Sequence, residues 1–232
     1  MKLHRFIGHY DLAGQSLEIT DAETLHQWRS VLRLTVGDLV ILVDQNSGQE
    51  AKVEIRGFER DRAQLYIIET ITNKSESPRK VVLYCAILKK ENFELVAQKA
   101  TECGVIEIVP LLTDRTVKQN IKFDRLEKIV REAVEQAGRA VVPIVKPPIG
   151  LEEAMELVVP TETYFFHVPD MADQKAFEAV GDRLNIFIGP EGGWSVEEIN
   201  LAQKRGCHLV SLGPRVLRGE TAAIVASYLA CR

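Results

Sequence analysis

Residues 188–194, IGPEGGW, and 210–223, VSLGPRVLRGETAA, each follow a short apolar run and lead into a helical pattern. A glycine-bearing loop that leaves a strand and enters a helix lies at the carboxyl edge of an open α/β sheet, where such sheets bind ligands. Two such loops predict a cofactor pocket with a charged rim. On that rim Arg215 and Arg218 stand three apart, and Glu220 opens the last helix beside Thr221 and Ala222. Ion pairing of the arginines with Glu191 and Glu220, and helix capping by Glu220, explain the same residues, so spacing alone leaves structural and chemical roles open.

Upstream, Val81–Leu88 (VVLYCAIL) is a continuous apolar run suited to a strand buried on both faces, and Phe93–Cys103 has helical spacing through Leu95, Val96 and Ala100. A strand Val105–Val109 ended by Pro110, a helix from Phe123 to Gly138 and a strand Val141–Val145 follow. Next come a short helix over Leu151–Leu157, a strand Thr163–Val168, a helix from Asp173 and a strand Leu184–Ile188. Ser195 with Glu198 three residues on is a capping box, and a strand His208–Leu212 and a helix Thr221–Leu229 close the chain. This alternation specifies an α/β fold with a parallel sheet covered on both faces.

Residues 1–72 read differently. LVILV (39–43), AKVEI (51–55) and AQLYII (63–68) are punctuated by Gly37-Asp38, Asn46-Ser47-Gly48 and Gly57, the pattern of a small β-barrel or meander. One helix interrupts it from Asp21, with Leu25, Trp28 and Leu32 on one face. The polar NKSESPRK, residues 73–80, marks a boundary between a domain over 1–72 and one over 73–232.

The composition, 46% hydrophobic and 27% charged over 232 residues, is that of a soluble globular protein. No apolar run approaches the ~18 residues of a membrane helix, and MKLHRFIGHYD has no signal-peptide core, so a cytoplasmic protein without membrane association is expected. The net charge of −4 is not that of a nucleic-acid binder as a whole. Lys and Arg against Asp and Glu nevertheless number 8 to 11 over residues 1–72, 14 to 10 over 73–146 and 7 to 12 over 147–232. The basic middle, which carries Lys99, Glu102, Arg115, Glu135, Gln136 and Arg139, suits RNA, although solvated helix faces explain the same count. Gln136 and Arg139 fall on one side of the Phe123 helix, where they can point together into a cleft.

GPEGG is neither a dinucleotide GxGxxG nor a GxxxxGK[ST] loop, and there is no HExxH or GxSxG. Cys85, Cys103, Cys207 and Cys231 show no CxxC spacing and read as buried free thiols. Gly189, Gly192 and Gly193 permit positive φ and the close approach of a ligand to bare backbone, which then reads an adenine edge. His167 ends a strand at the same edge, where a packed histidine is the simpler explanation.

Taken together, IGPEGGWSVEEI and VSLGPRVLRGETAA strongly resemble the paired cofactor motifs of the RsmE-type 16S ribosomal RNA uridine-N3 methyltransferases, a SPOUT family. The likeness extends through QKATECGV (98–105), DRTV (114–117), EAVEQAGRAVVP (132–143) and the amino-terminal HRF and VLRLTVGD, nearly the whole chain. The departures are Cys103 where leucine is usual, Trp194 where phenylalanine is common, Val216 for isoleucine, and Gly219 where threonine or serine often precedes the glutamate. The last removes any hydroxyl role at that position.

The resemblance implies a PUA-like, RNA-binding β-barrel followed by a SPOUT domain with a parallel sheet and a carboxyl-terminal trefoil knot, in a homodimer. It implies S-adenosyl-L-methionine held by His167, Ile188, Gly189, Gly193, Ser211, Leu212, Gly213, Val216 and Leu217. Arg218 is expected to stabilise a uridinate, Glu220 to orient it or take its proton, and Arg139 to assist from the other subunit. Arg5, Arg33, Lys99 and Arg115 are expected to contact 16S rRNA in the small ribosomal subunit. A SPOUT ribose-2'-O-methyltransferase and a non-catalytic rRNA-binding protein are the alternatives.

Overall fold

The computed structural model describes residues 3–89, 91–117, 121–167 and 175–232. The chain forms two compact units, Met1–Glu76 with Val134–Val141, and Ser77–Ala133 with Val142–Arg232. The first break falls inside the polar run that marks it in the sequence. The return of Val134–Val141 to the first unit leaves no mark there, because those residues continue a helical pattern.

The first unit is built on β1 (His4–Gly8), β2 (Ser16–Ile19), β3 (Leu39–Asp44), β4 (Gln49–Phe58) and β5 (Ala63–Thr72). The five form one sheet in the order β1-β3-β4-β5-β2, with β1 parallel to β3 and every other pair antiparallel. Alternate residues Val40, Leu42, Val53, Ile55 and Leu65 point inward and enclose a core with Phe6, Leu25 and Trp28. The helix expected from Asp21 is α1 (Ala22–His26), capped by the Asp21 carboxylate, which accepts from Thr24 N at 2.7 Å. A π-helical turn, Gln27–Val31, continues it and places Trp28 fully inside.

The second unit begins with β6 (Lys80–Ala86), α2 (Asn92–Cys103), β7 (Glu107–Leu112) and α3 (Phe123–Ala137), whose last turn is grouped with the first unit. It goes on through β8 (Ile144–Val145), β9 (Ile149–Gly150), α4 (Leu151–Leu157) and β10 (Thr163–Phe166). β11 (Arg183–Ile188), α5 (Val196–Lys204), β12 (His208–Val210) and α6 (Gly219–Cys231) complete it. The sheet is parallel throughout, in the order β12-β10-β11-β6-β7-β8, with β9 also on β7. β6 is buried on both faces, as its apolar run predicts. Val81, Leu83 and Cys85 pack with α2, α3 and α6, whereas Val82 and Tyr84 pack with α4 and α5. β12 lies at the sheet edge, and α6 returns from it across β11 and β6.

Three expectations are corrected. Pro110 does not end a strand but sits inside β7, opposite Cys85. On its other side β8 pairs through Ile108 and β9 from Leu111, so the missing N–H falls in a gap of the ladder. The strand expected over Val141–Val145 is only Ile144–Val145. The helix expected from Asp173 begins outside the described residues, as does Val168, and residues 175–180 are not helical. There Ala176 bridges Ser211 in parallel and Phe177 sits 5.0 Å from Tyr164 and from Phe166, so packing overrides local propensity.

Candidate active site

β11 ends at Ile188 and delivers Gly189–Trp194 to the carboxyl edge of the sheet. The loop closes with Gly193 N donating to Pro190 O at 2.8 Å, and Gly193 has φ +69°, a region glycine enters without strain. Gly189 and Gly192 matter for space rather than positive φ. A Cβ on Gly189 would lie 3.0 Å from Trp194 Cε2, and one on Gly192 would lie 3.3 Å from Arg115 Cδ. Trp194 roots the loop: its Nε1 donates to Phe166 O at 2.8 Å and its ring lies 4.1 Å from that of Phe165.

The turn after β7 grips the same loop. Arg115 Nη1 donates to Gly192 O at 2.7 Å, and Ser195 Oγ donates to Asp114 Oδ2 at 2.6 Å. The buried Glu198 carboxylate accepts from Asp114 N at 3.0 Å and Ser195 N at 2.7 Å, so the predicted capping box also ties two loops together. Glu191 Oε1 accepts from Lys89 N at 2.9 Å, joining the loop to the end of β6.

After β12 the second loop turns on Ser211. Its Oγ accepts from Gly213 N at 3.1 Å and donates to Gly213 O at 3.0 Å, with Gly213 at φ +107°. α6 then starts at Gly219, where a Cβ would stand 2.9 Å from Leu88 Cδ2 and 3.6 Å from Gly189 O. The two loops meet at this glycine.

Between them lies a cavity of about 730 Å³. Its lining includes His167, Ile188, Gly189 and Gly193 from the first side, and Ser211, Leu212, Gly213, Val216 and Leu217 from the second. All nine residues expected at a cofactor are thus brought together. Arg218, Glu220 and Arg115 line it as well, the first two at the start of α6. The ion pairs that spacing allowed do not form: Arg215, Arg218 and Glu220 have no side-chain partner among the described residues. Asn92, Phe166 and Trp194 also line the cavity. Asn92 and Phe166 carried no motif signal, because they come from elements whose spacing only reports packing.

The remaining predicted residues lie elsewhere. Arg139 does not line the cavity and is 2% exposed, with Nε and Nη2 donating to Glu76 Oε2 at 3.2 and 2.8 Å. Glu76 Oε1 accepts from Ala140 N at 2.8 Å and Val141 N at 3.0 Å. Within its own chain Arg139 is therefore buried against Glu76 in the first unit, which corrects the cleft expected for it with Gln136. Arg5 is engaged likewise, with Nη1 donating to Glu50 Oε2 at 2.8 Å, and Lys99 Nζ sits 2.7 Å from Glu102 Oε1. Glu50, on β4, thus faces Arg5, and Glu102 faces Lys99 from three residues along α2. Arg33 is exposed, at φ +55°.

No disulfide joins the cysteines among the described residues; Cys85, Cys207 and Cys231 are buried and Cys103 is half-buried. Burial pushes the Cys85 and Cys207 thiols up, so neither supplies a nucleophile. The cavity's resources are instead bare loop backbone, apolar walls at Ile188, Leu212 and Leu217, and one acidic and one basic side chain at a helix start. Such a site binds a flat, partly apolar ligand and stabilises charge at one end of it.

Residues 75–230 match the RNA methyltransferase domain family. Ribosomal RNA small subunit methyltransferase E of Synechocystis is 34% identical, over 91% of this chain and 71% of its own length. The Bacillus subtilis protein of that name is 30% identical, over 88% and 85%. Among solved structures, a Legionella pneumophila methyltransferase with S-adenosylmethionine bound superposes with a TM-score of 0.85 at 31% identity, covering 99% of this chain and 97% of that one. A Neisseria gonorrhoeae ribosomal RNA small subunit methyltransferase E, also bound to S-adenosylmethionine, gives 0.85 at 30% identity, covering 97% and 95%.

Proposed function

The chain belongs to the RNA methyltransferase family, among its ribosomal small-subunit methyltransferase E proteins, and on that premise we propose that it transfers a methyl group from S-adenosylmethionine to N3 of a uridine in 16S rRNA. The observation that carries the reading is the convergence of nine expected cofactor positions on one cavity, with Arg218 and Glu220 at its α6 end. The residues present fit the cofactor. The cavity volume suits a nucleoside-sized molecule. Gly213, with nothing within 4 Å of where a Cβ would stand, keeps no side chain in a ligand's way, and Val216, 81% exposed, is an apolar side chain that a bound ligand would cover.

When bound, S-adenosylmethionine supplies an electrophilic methyl on its sulfonium sulfur, which departs as the neutral thioether. The protein's task is to make N3 nucleophilic. The imide lone pair is delocalised into two carbonyls, so the proton must leave as charge spreads onto O2 and O4. Arg218 meets that charge with a guanidinium that no carboxylate neutralises among the described residues, and Glu220 takes the proton or holds the base. N3 is paired in a duplex, so the target base is single-stranded or flipped out.

The first unit, the PUA-like part of the expected 1–72 domain, contributes RNA contacts through Arg33. The knot expected for the 73–232 domain lies in the second unit, Ser77–Ala133 with Val142–Arg232, and holds the cofactor. The protein works in the cytoplasm as a homodimer; the exposed Leu95 and Tyr228, on α2 and α6, support a second copy packing there. No helix of the described residues is long and apolar enough to cross a membrane. A purely RNA-binding protein would have no use for the cavity.

Labelled methyl transfer to small subunits lacking their native methylation, followed by nucleoside mass spectrometry, tests the reading. N3-methyluridine is expected. A 2'-O-methylated nucleoside would replace the acceptor, and failure to bind S-adenosylmethionine would remove the enzyme.

A further inference from the structure

Charge that develops on both O2 and O4 calls for a hydrogen-bond donor at each oxygen. Three donors on the cavity wall are already committed. Trp194 Nε1 donates to Phe166 O at 2.8 Å, Ser211 Oγ to Gly213 O at 3.0 Å and Arg115 Nη1 to Gly192 O at 2.7 Å. Arg215 and Arg218 are not, and of the two Arg218 stands at the start of α6. Asn92 is half-buried at the first position of α2 and is the one carboxamide on the wall. Its backbone N–H bonds Lys89 O at 3.3 Å, while its side chain has no partner among the described residues.

The helix geometry points the same way. α2 and α6 pack together, and both begin at the cavity, α2 with Asn92 and α6 with Gly219 and Glu220. Two helix amino termini at one end of a cavity favour negative charge there. The other end, where Leu212, Gly213 and His167 lie on bare backbone, suits the neutral adenosine portion.

We infer that Asn92 reads the acceptor base: its Nδ2 donates to one uracil carbonyl while Arg218 takes the other, so that the imide is held by both flanks as its proton leaves. This rests on the uridine-N3 reading above. It also gives specificity, because cytosine presents an amino group where uracil presents O4 and would set two donors against each other.

The test compares the wild type with Asn92→Ala and Asn92→Asp, the second keeping the shape of the side chain while replacing its donor with an acceptor. Cofactor affinity is read by calorimetry, and methyl transfer to unmethylated small subunits is read as a function of pH. Both variants should bind S-adenosylmethionine as the wild type does and lose ~10²-fold in kcat at neutral pH, the usual cost of one such donor. The loss should shrink as the pH rises, since the lost donor is one that eases deprotonation; a structural defect would not follow pH in that way. Transfer within twofold of wild type at every pH, or tenfold weaker cofactor binding, would overturn the assignment and leave the uridine reading standing. A wild-type product other than N3-methyluridine would remove both.

Discussion

Arg139→Met separates the two roles considered for Arg139, because each predicts a loss in a different observable. The guanidinium is 2% exposed, and its Nη2 lies 2.8 Å from Glu76 Oε2 in an ion pair whose carboxylate side is 27% exposed. Removing one partner of a fully buried pair costs ~3–5 kcal/mol, and the partial access of water to Glu76 places this case lower, at ~2–3 kcal/mol. With a urea dependence of ~1–3 kcal/mol per molar, the midpoint should fall by about 1 M. The chain has two tryptophans, Trp28 in the first unit and Trp194 in the second, so Trp194→Phe leaves a fluorescence probe of the first unit alone. In that background Arg139→Met should lower the midpoint, and the double variant with Glu76→Gln should recover part of it, the signature of a coupled pair. Methyl transfer should fall only in step with the unfolded fraction. An unchanged midpoint with abolished transfer would refute the structural role and return Arg139 to the chemistry.

Two more perturbations follow from other buried carboxylates. Glu198→Ala leaves the N–H groups of Asp114 and Ser195 without their acceptor and should cost ~2–4 kcal/mol in the second unit. It should also weaken S-adenosylmethionine binding in calorimetry, whereas Glu198→Gln, which keeps one acceptor oxygen, should show about half of each effect; unchanged affinity in both would mean that the clasp does not set the cofactor loop. Asp44 tests pH dependence. Burial raises its pKa, but bonds donated by Ser47 Oγ at 2.6 Å, by Ser47 N and by Tyr10 N outweigh this and hold the carboxyl below its ordinary value. A depressed folded-state pKa means stability that is complete above the unfolded value and lost as the pH falls through the folded one. In the Trp194→Phe background, urea midpoints should therefore drop between about pH 5 and about pH 3 by more with Asp44 present than with Asp44→Asn, and parallel curves would show that Asp44 is not the linked group.

The parts of the fold legible in sequence are those set by local pattern. VVLYCAIL became the doubly buried β6, Leu151–Leu157 became α4 with those limits, and Ser195 with Glu198 formed the capping box. The misreadings arose where a distant partner decides. Pro110 stays in its strand because β8 and β9 leave a gap beside it, and residues 175–180 lie along Ser211 because Phe177 finds Tyr164 and Phe166. The same division runs through the site. Loop glycines and their neighbours were readable because backbone geometry restricts which residues serve there. Asn92 was not, since nothing near it in sequence tells that α2 starts at the cavity.

Charge was the least legible property, and this fixes what to expect of RNA binding. Of the cations expected to touch RNA, Arg5 and Lys99 hold carboxylates of their own units and Arg115 has one nitrogen on Gly192 O, so each yields less counterion release than its charge suggests. Arg33 is exposed and has no ion-pair partner among the described residues. It occupies the left-handed region at φ +55°, which asparagine tolerates better than arginine. Arg33→Asn therefore removes the charge without adding strain, and any loss of binding cannot be laid to the fold. The affinity for small subunits should fall, and the slope of log K against log salt should become shallower by ~0.7–0.9, one phosphate contact. Lys99→Gln should leave the slope nearly unchanged, because its ammonium already faces Glu102 at 2.7 Å. Equal slopes for Arg33→Asn and the wild type would take Arg33 off the RNA, and a larger change in Lys99→Gln would mean that the Glu102 pair opens on binding.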